Sequence, residues 1–178
     1  MTSESRRPLI DRNREGHAEL LRALDAVTPE GLDFLPAPAE WTLREIVHHV
    51  ADSEMIAAIR LRRLLAEDAP VIQSFDQELY AQRLRYDTRP IEAAILAIDA
   101  ARRTTAEFLD MLGEGQWQRP GTHTERGVYT PERWLELNAG HAHDHVEQIR
   151  RNRTASAGRE SLPSRGPAGS ASVQRNTL

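Results

Sequence analysis

The run TLREIVHHVADSEMIAAIRLRRLLAE, Thr42 to Glu67, reads as one long amphipathic helix. Its apolar residues Leu43, Val47, Val50, Ala57, Leu61 and Leu64 recur every three or four positions, the spacing that lines one side of a helix with 3.6 residues per turn. Thr42 followed three positions later by Glu45 forms a capping box, each side chain satisfying the other's free backbone N–H, so the helix starts there. Glu54 interrupts the apolar stripe. A carboxylate in that position needs a partner or a raised pKa. An arginine partner is the expected answer, and a general base is the competing one.

Helical periodicity also marks segments 9–26, 90–111 and 131–151, with Pro90 and Pro131 at first-turn positions, where a missing N–H costs nothing. No segment alternates in the manner of a strand, so the fold class is all-α. Residues 68–90 form a connection long enough to run the height of a bundle and return the chain in the same direction, a crossover between helices 2 and 3. Residues 113–130 read as irregular structure or a short hairpin. The stretch 152–178, rich in Ser, Gly, Ala and Pro, offers no apolar face to offset its ordering entropy and reads as a disordered tail. The folded domain is therefore placed at 1–151.

At 178 residues the chain has material for a single core. It contains no cysteine, which excludes thiolate ligands and a cysteine nucleophile and leaves His, Asp and Glu as the strong metal ligands. All 23 basic residues are arginine. Only one acid lies beyond residue 151, against four arginines, so the body of the chain is acidic and ill suited to a phosphate backbone. No nucleic-acid partner is expected. No apolar run approaches the roughly 20 residues that cross a bilayer, and MTSESRRPLIDRNREG lacks the apolar segment of a secretory signal, so the expected location is cytoplasmic with no membrane partner.

Five of the seven histidines fall in two clusters. His141 and His145 lie four apart on one helical face and can share one ion, while His143 points about 160° from His145. Adjacent residues diverge by about 100°, so only one of His48 and His49 can join them. His48 points away from the apolar stripe. His49 sits on its flank with Ile46, Ser53, Ile56 and Arg60, a flank that can face a neighbouring helix. In the last helix Trp134, Asn138, His141, His145 and Gln148 form a helically regular row that reads as a pocket lining. Three imidazoles from two helices suit zinc or nickel and leave coordination positions for water or substrate. The same spacing arises by chance on many helices, whose histidines then serve as surface or hydrogen-bonded core groups. Ala142 stands where a zincin motif places its glutamate, so no general base comes from that position.

The segment WTLREIVHHVADS (41–53), with PVIQSFDQELY (70–80) and YTPERWLELNAGHAHDHVEQI (129–149), resembles the DinB/YfiT-like family over roughly residues 6–151, most closely its YfiT branch. The resemblance implies a four-helix bundle with a long crossover between helices 2 and 3, and a zinc or nickel ion. It places the metal ligands on His49, His141 and His145, and it often brings a homodimer. For activity it implies a metal-dependent hydrolase acting on a small-molecule substrate. Relatives are S-transferases that use a low-molecular-weight thiol such as bacillithiol or mycothiol, and a non-catalytic metal-binding stress-response module is a third reading. The sequence departs from the branch at Gly140, where Trp commonly precedes the first ligand, and at Asp144 and Glu54, where histidines can stand.

Among the remaining residues, His123 is a candidate acid or base from its loop, set against the ordinary role of polar surface. Asn138, Trp134 and Arg60 are candidate pocket residues. Tryptophans usually pack, and an arginine on a helix usually meets solvent. Asp52 and Asp144 point away from the ligand faces and are expected at the surface.

Overall fold

The computed structural model describes residues 1–160. Four long helices carry the fold: α1 (Ser3–Leu24), α3 (Leu43–Ala66), α5 (Glu92–Met111) and α7 (His141–Glu160). Helix α1 packs on α7 and α5, and α3 packs on α5 and α7, which closes a four-helix bundle. No helix among the described residues is long and apolar enough to cross a membrane.

The first helix starts earlier than its apolar periodicity suggests. Thr2 and Ser5 form its capping box, which stabilises a polar first turn that hydrophobic spacing cannot reveal. The helix read at 131–151 is two: α6 (Pro131–Asn138) and α7, separated at Ala139 and Gly140. Glycine is a weak helix former, and Gly140 also fits a close approach, since a Cβ there would stand 3.3 Å from the Arg12 guanidinium. The break leaves His141 and His145 together on α7.

Helix α7 continues nine residues past 151 to Glu160. Buried Asn152 donates from Nδ2 to the Trp41 carbonyl at 2.9 Å, and Arg153 donates to the Ala23 carbonyl at 2.7 Å. Polar side chains anchor this last stretch, which is why composition did not reveal it. The rest of the expected tail, 161–178, lies outside the described residues.

The crossover holds structure of its own: β1 (Val71–Ile72) and α4 (Gln77–Arg83), with α2 (Pro29–Leu32) in the earlier link. A 3-10 turn at Glu114–Gln118 leads into a hairpin, β2 (Gly121–His123) and β3 (Gly127–Tyr129). Strand β1 adds to β2 in parallel, with Val71 opposite Thr122 and Ile72 opposite His123, giving a three-stranded sheet beside the bundle. Strands of two or three residues are too short to show alternation.

The core divides into two apolar regions. One gathers Ile10, Ala57, Leu61, Leu64, Leu109, Trp117, Trp134 and Leu135. The other gathers Leu20, Leu43, Val47, Val50, Ile98, Val146 and Ile149. Each large side chain so buried contributes about 1.5–3 kcal/mol. Between them runs a buried polar layer: Asn13 on α1, Glu54 on α3 and Arg102 on α5, all 5% exposed or less. The candidate site lies at the α3 to α7 edge of this layer.

Candidate metal centre

His49 on α3 and His141 and His145 on α7 meet where the two helices pack, their ligand-capable atoms all within 4.8 Å of one another. Ring centroids stand 4.7 Å apart for His49–His145 and His141–His145, and 5.6 Å for His49–His141. Trp41, just before the Thr42 cap, lays its ring 4.6 Å from His49.

One hydrogen bond and one charge contact orient two of the three rings as ligands. His145 Nδ1 stands 3.0 Å from Gln148 Oε1, one turn on, which leaves Nε2 free. His141 Nδ1 faces Glu54 Oε1 at 3.6 Å, again leaving Nε2. His49 is 3% exposed, and its Nδ1 is buried with no hydrogen-bond partner among the described residues. An orphaned buried nitrogen costs free energy that a cation would offset. Burial, with the nearby His145 and His141, pushes His49 down to about 3, and burial pushes His145 down as well. At neutral pH both imidazoles are uncharged, the form that ligates. Three imidazole nitrogens, one of them orphaned, are a donor set that fits a borderline divalent ion such as zinc or nickel.

Glu54 is not free to act as a base. Arg102 donates to it from Nη2 at 2.6 Å, and both side chains are buried. Burial pushes the carboxyl up, but the His141 imidazole and the Arg102 guanidinium outweigh it and hold the carboxyl below the usual range. The expectation of an arginine partner is met. Sequence reading missed Arg102 itself, although its place on α5 between buried Ile98 and Leu109 puts an arginine in an apolar stripe, as Glu54 stands in that of α3.

His123 is outside the cluster. It lies buried on β2, its Nδ1 accepting the Glu125 N–H at 3.2 Å and its ring 5.2 Å from Tyr129. The expected pocket residues also sit elsewhere. Trp134 is 1% exposed and donates from Nε1 to the Ala57 carbonyl at 2.8 Å, so it is core. Asn138 bonds back to the Trp134 carbonyl, and Arg60 binds the Gln73 carbonyl and lies over Phe75. The cleft that reaches the cluster does so at His145; it is about 570 Å³ and is lined also by Trp41, Glu78, Gln148, Arg151 and Asn152 among others. Of these only His145 and Gln148 were read from the row on the last helix, because α4 and the end of α7 were not foreseen.

One expectation near the site is corrected: Asp52 is half-buried and not at the surface, and its neighbour His48, outside the cluster as read, is covered with it. His48 is buried, its Nε2 3.0 Å from the Arg89 carbonyl and its ring stacked on Tyr86. Asp52 accepts a hydrogen bond from the Tyr86 hydroxyl. Both therefore tie the crossover to α3, covering a face that would otherwise meet solvent. Asp144 is exposed, as expected.

A sequence profile described as the DinB superfamily matches residues 12–149. A protein of Oceanobacillus iheyensis is 32% identical over 120 residues, covering 67% of this chain and 69% of the relative. YfiT of Bacillus subtilis is 28% identical over 133 residues, covering 74% of this chain and 75% of YfiT. The solved structure of YfiT, described as a probable metal-dependent hydrolase with an unusual four-helix bundle topology, superposes with a TM-score of 0.81 at 25% identity over 88% of this chain and 90% of that one. The Oceanobacillus relative is likewise described, provisionally, as a metal-dependent hydrolase.

Proposed function

The chain belongs to the DinB superfamily, and from that premise we propose that it is a metal-dependent hydrolase of small molecules whose centre is His49, His141 and His145. The observation that carries the reading is the convergence of three imidazoles beside an open cleft of about 570 Å³. Three protein ligands at a cleft are the arrangement of a reactive site, whereas a structural site is closed by four. A zinc or nickel ion held there supplies Lewis acidity, lowering the pKa of water or a thiol and polarising a substrate carbonyl.

The protein's own residues bind and orient. Gln148 fixes the His145 ring by accepting at Nδ1. The Trp41 ring lies against His49 and keeps bulk water from that face of it. It is itself pinned from two directions, with its Nε1 donating to Glu78 at 3.3 Å and its carbonyl bound by Asn152. Glu78, Arg151 and Gln148 offer the substrate charge and hydrogen bonds along the cleft walls.

The test is turnover by metal-loaded protein on a panel of activated esters and amides, with and without a low-molecular-weight thiol. The reading expects hydrolysis that rises with metal occupancy, needs no thiol and disappears in His145→Ala. Product formed only with thiol would assign an S-transferase instead. No turnover at full occupancy would leave a metal-binding module.

A further inference from the structure

We infer that Glu54 is a positioning residue for the candidate metal centre, holding His141 with its proton on Nδ1 and its lone pair on Nε2, and that Arg102 holds Glu54 in place to do so. The inference rests on the metal reading of the three histidines.

Helices α1 and α5 carry none of those histidines, yet a continuous buried chain runs from them to the site. Glu54 Oε1 is the oxygen that Arg102 Nη2 reaches at 2.6 Å and the oxygen that faces His141 Nδ1 at 3.6 Å. The other arm of Arg102, Nη1, donates to the Asn13 carbonyl on α1. Gly16, one turn along α1, makes the room: a Cβ there would stand 2.8 Å from Arg102 Cζ and 2.9 Å from Ala142 Cβ. So α1 yields the space, α5 the cation, α3 the carboxylate, and α7 the imidazole it acts upon. Every member of the chain except His141 is nearly inaccessible to water, so these charges act on one another with little screening.

The separation of 3.6 Å exceeds a formed hydrogen bond. Glu54 therefore acts on the Nδ1 proton through its charge, and a small ring rotation would complete the bond. A carboxylate opposite Nδ1 favours the tautomer with hydrogen on that nitrogen and so leaves the lone pair on Nε2. His145 shows the same design in neutral form, with Gln148 accepting at Nδ1. Both α7 histidines are thus set to ligate through Nε2.

The experiment titrates Co²⁺ into the full chain, reading its visible absorption with a competing chelator. It compares the parent, Glu54→Met/Arg102→Met and Arg102→Lys, with circular dichroism to verify folding. The double variant removes both charges together, so no buried ion is stranded. A folded double variant should bind Co²⁺ about 10- to 100-fold more weakly, with an altered cobalt spectrum. Arg102→Lys, which keeps a cation on Glu54, should bind close to the parent. Equal affinity in the parent and a folded double variant would overturn the inference. Should the double variant not fold, imidazole ¹⁵N shifts of the unsubstituted, metal-free chain decide: the Nδ1–H tautomer at His141 supports the assignment and the Nε2–H tautomer defeats it. A parent that takes up no Co²⁺ would overturn the metal reading itself, a result distinct from unchanged affinity in the variant.

Discussion

His141→Ala is expected to leave the purified chain almost free of divalent metal, while the parent holds about one ion per subunit and His143→Ala holds as much as the parent. The contrast follows from the faces of α7. His141 and His145, four apart, turn toward His49, whereas His143 turns toward α1, its Nε2 2.9 Å from the Arg12 carbonyl. Removing His141 leaves two nitrogens, too few to hold the ion against dialysis, and removing His143 costs at most one surface hydrogen bond. Elemental analysis after dialysis against buffer without chelator makes the measurement. Metal lost from His143→Ala and kept by His141→Ala would move the site to another face of α7.

The second large effect is on stability. Arg102→Met strands the Glu54 carboxylate in the polar layer between the two apolar regions. Breaking one side of a buried pair costs about 3–5 kcal/mol, or roughly 6 to 20 °C in melting temperature for a chain of this size. Removing both charges in Glu54→Met/Arg102→Met should recover most of that loss, because apolar residues of similar volume replace a desolvated pair at little cost. Thermal unfolding of the metal-free protein measures both variants. A single variant as stable as the parent would mean that water reaches Glu54. The double variant thus separates two roles of the pair: stability returns while metal affinity stays low.

What could be read in the sequence was what periodicity and helical angles encode. The capping box at Thr42 and Glu45, the stripe of α3 and the choice of His49, His141 and His145 all rest on 3.6 residues per turn, and the structure brings those three rings together. The stripe also exposed Glu54 as an anomaly. Its answer, Arg102, lies 48 residues away on α5, and no local rule pairs residues at that distance. The crossover was legible as a length and not as a structure. Tyr86 and Arg89 return to cover Asp52 and His48, so two residues that point away from the apolar stripe are covered by a segment with weak local signals. Trp134 and Asn138 shared a helical row with the ligands on paper. The break at Gly140 and the packing of Trp134 on Ala57 take them into the core side of the bundle.

The proposed centre holds one divalent ion among His49, His141 and His145. Crystals of the zinc-loaded protein, measured at the metal's absorption edge, test it without reference to activity. The predicted result is one strong anomalous peak about 2.0–2.1 Å from a nitrogen of each of the three imidazoles. A peak held by other residues, with none among these three rings, would contradict it.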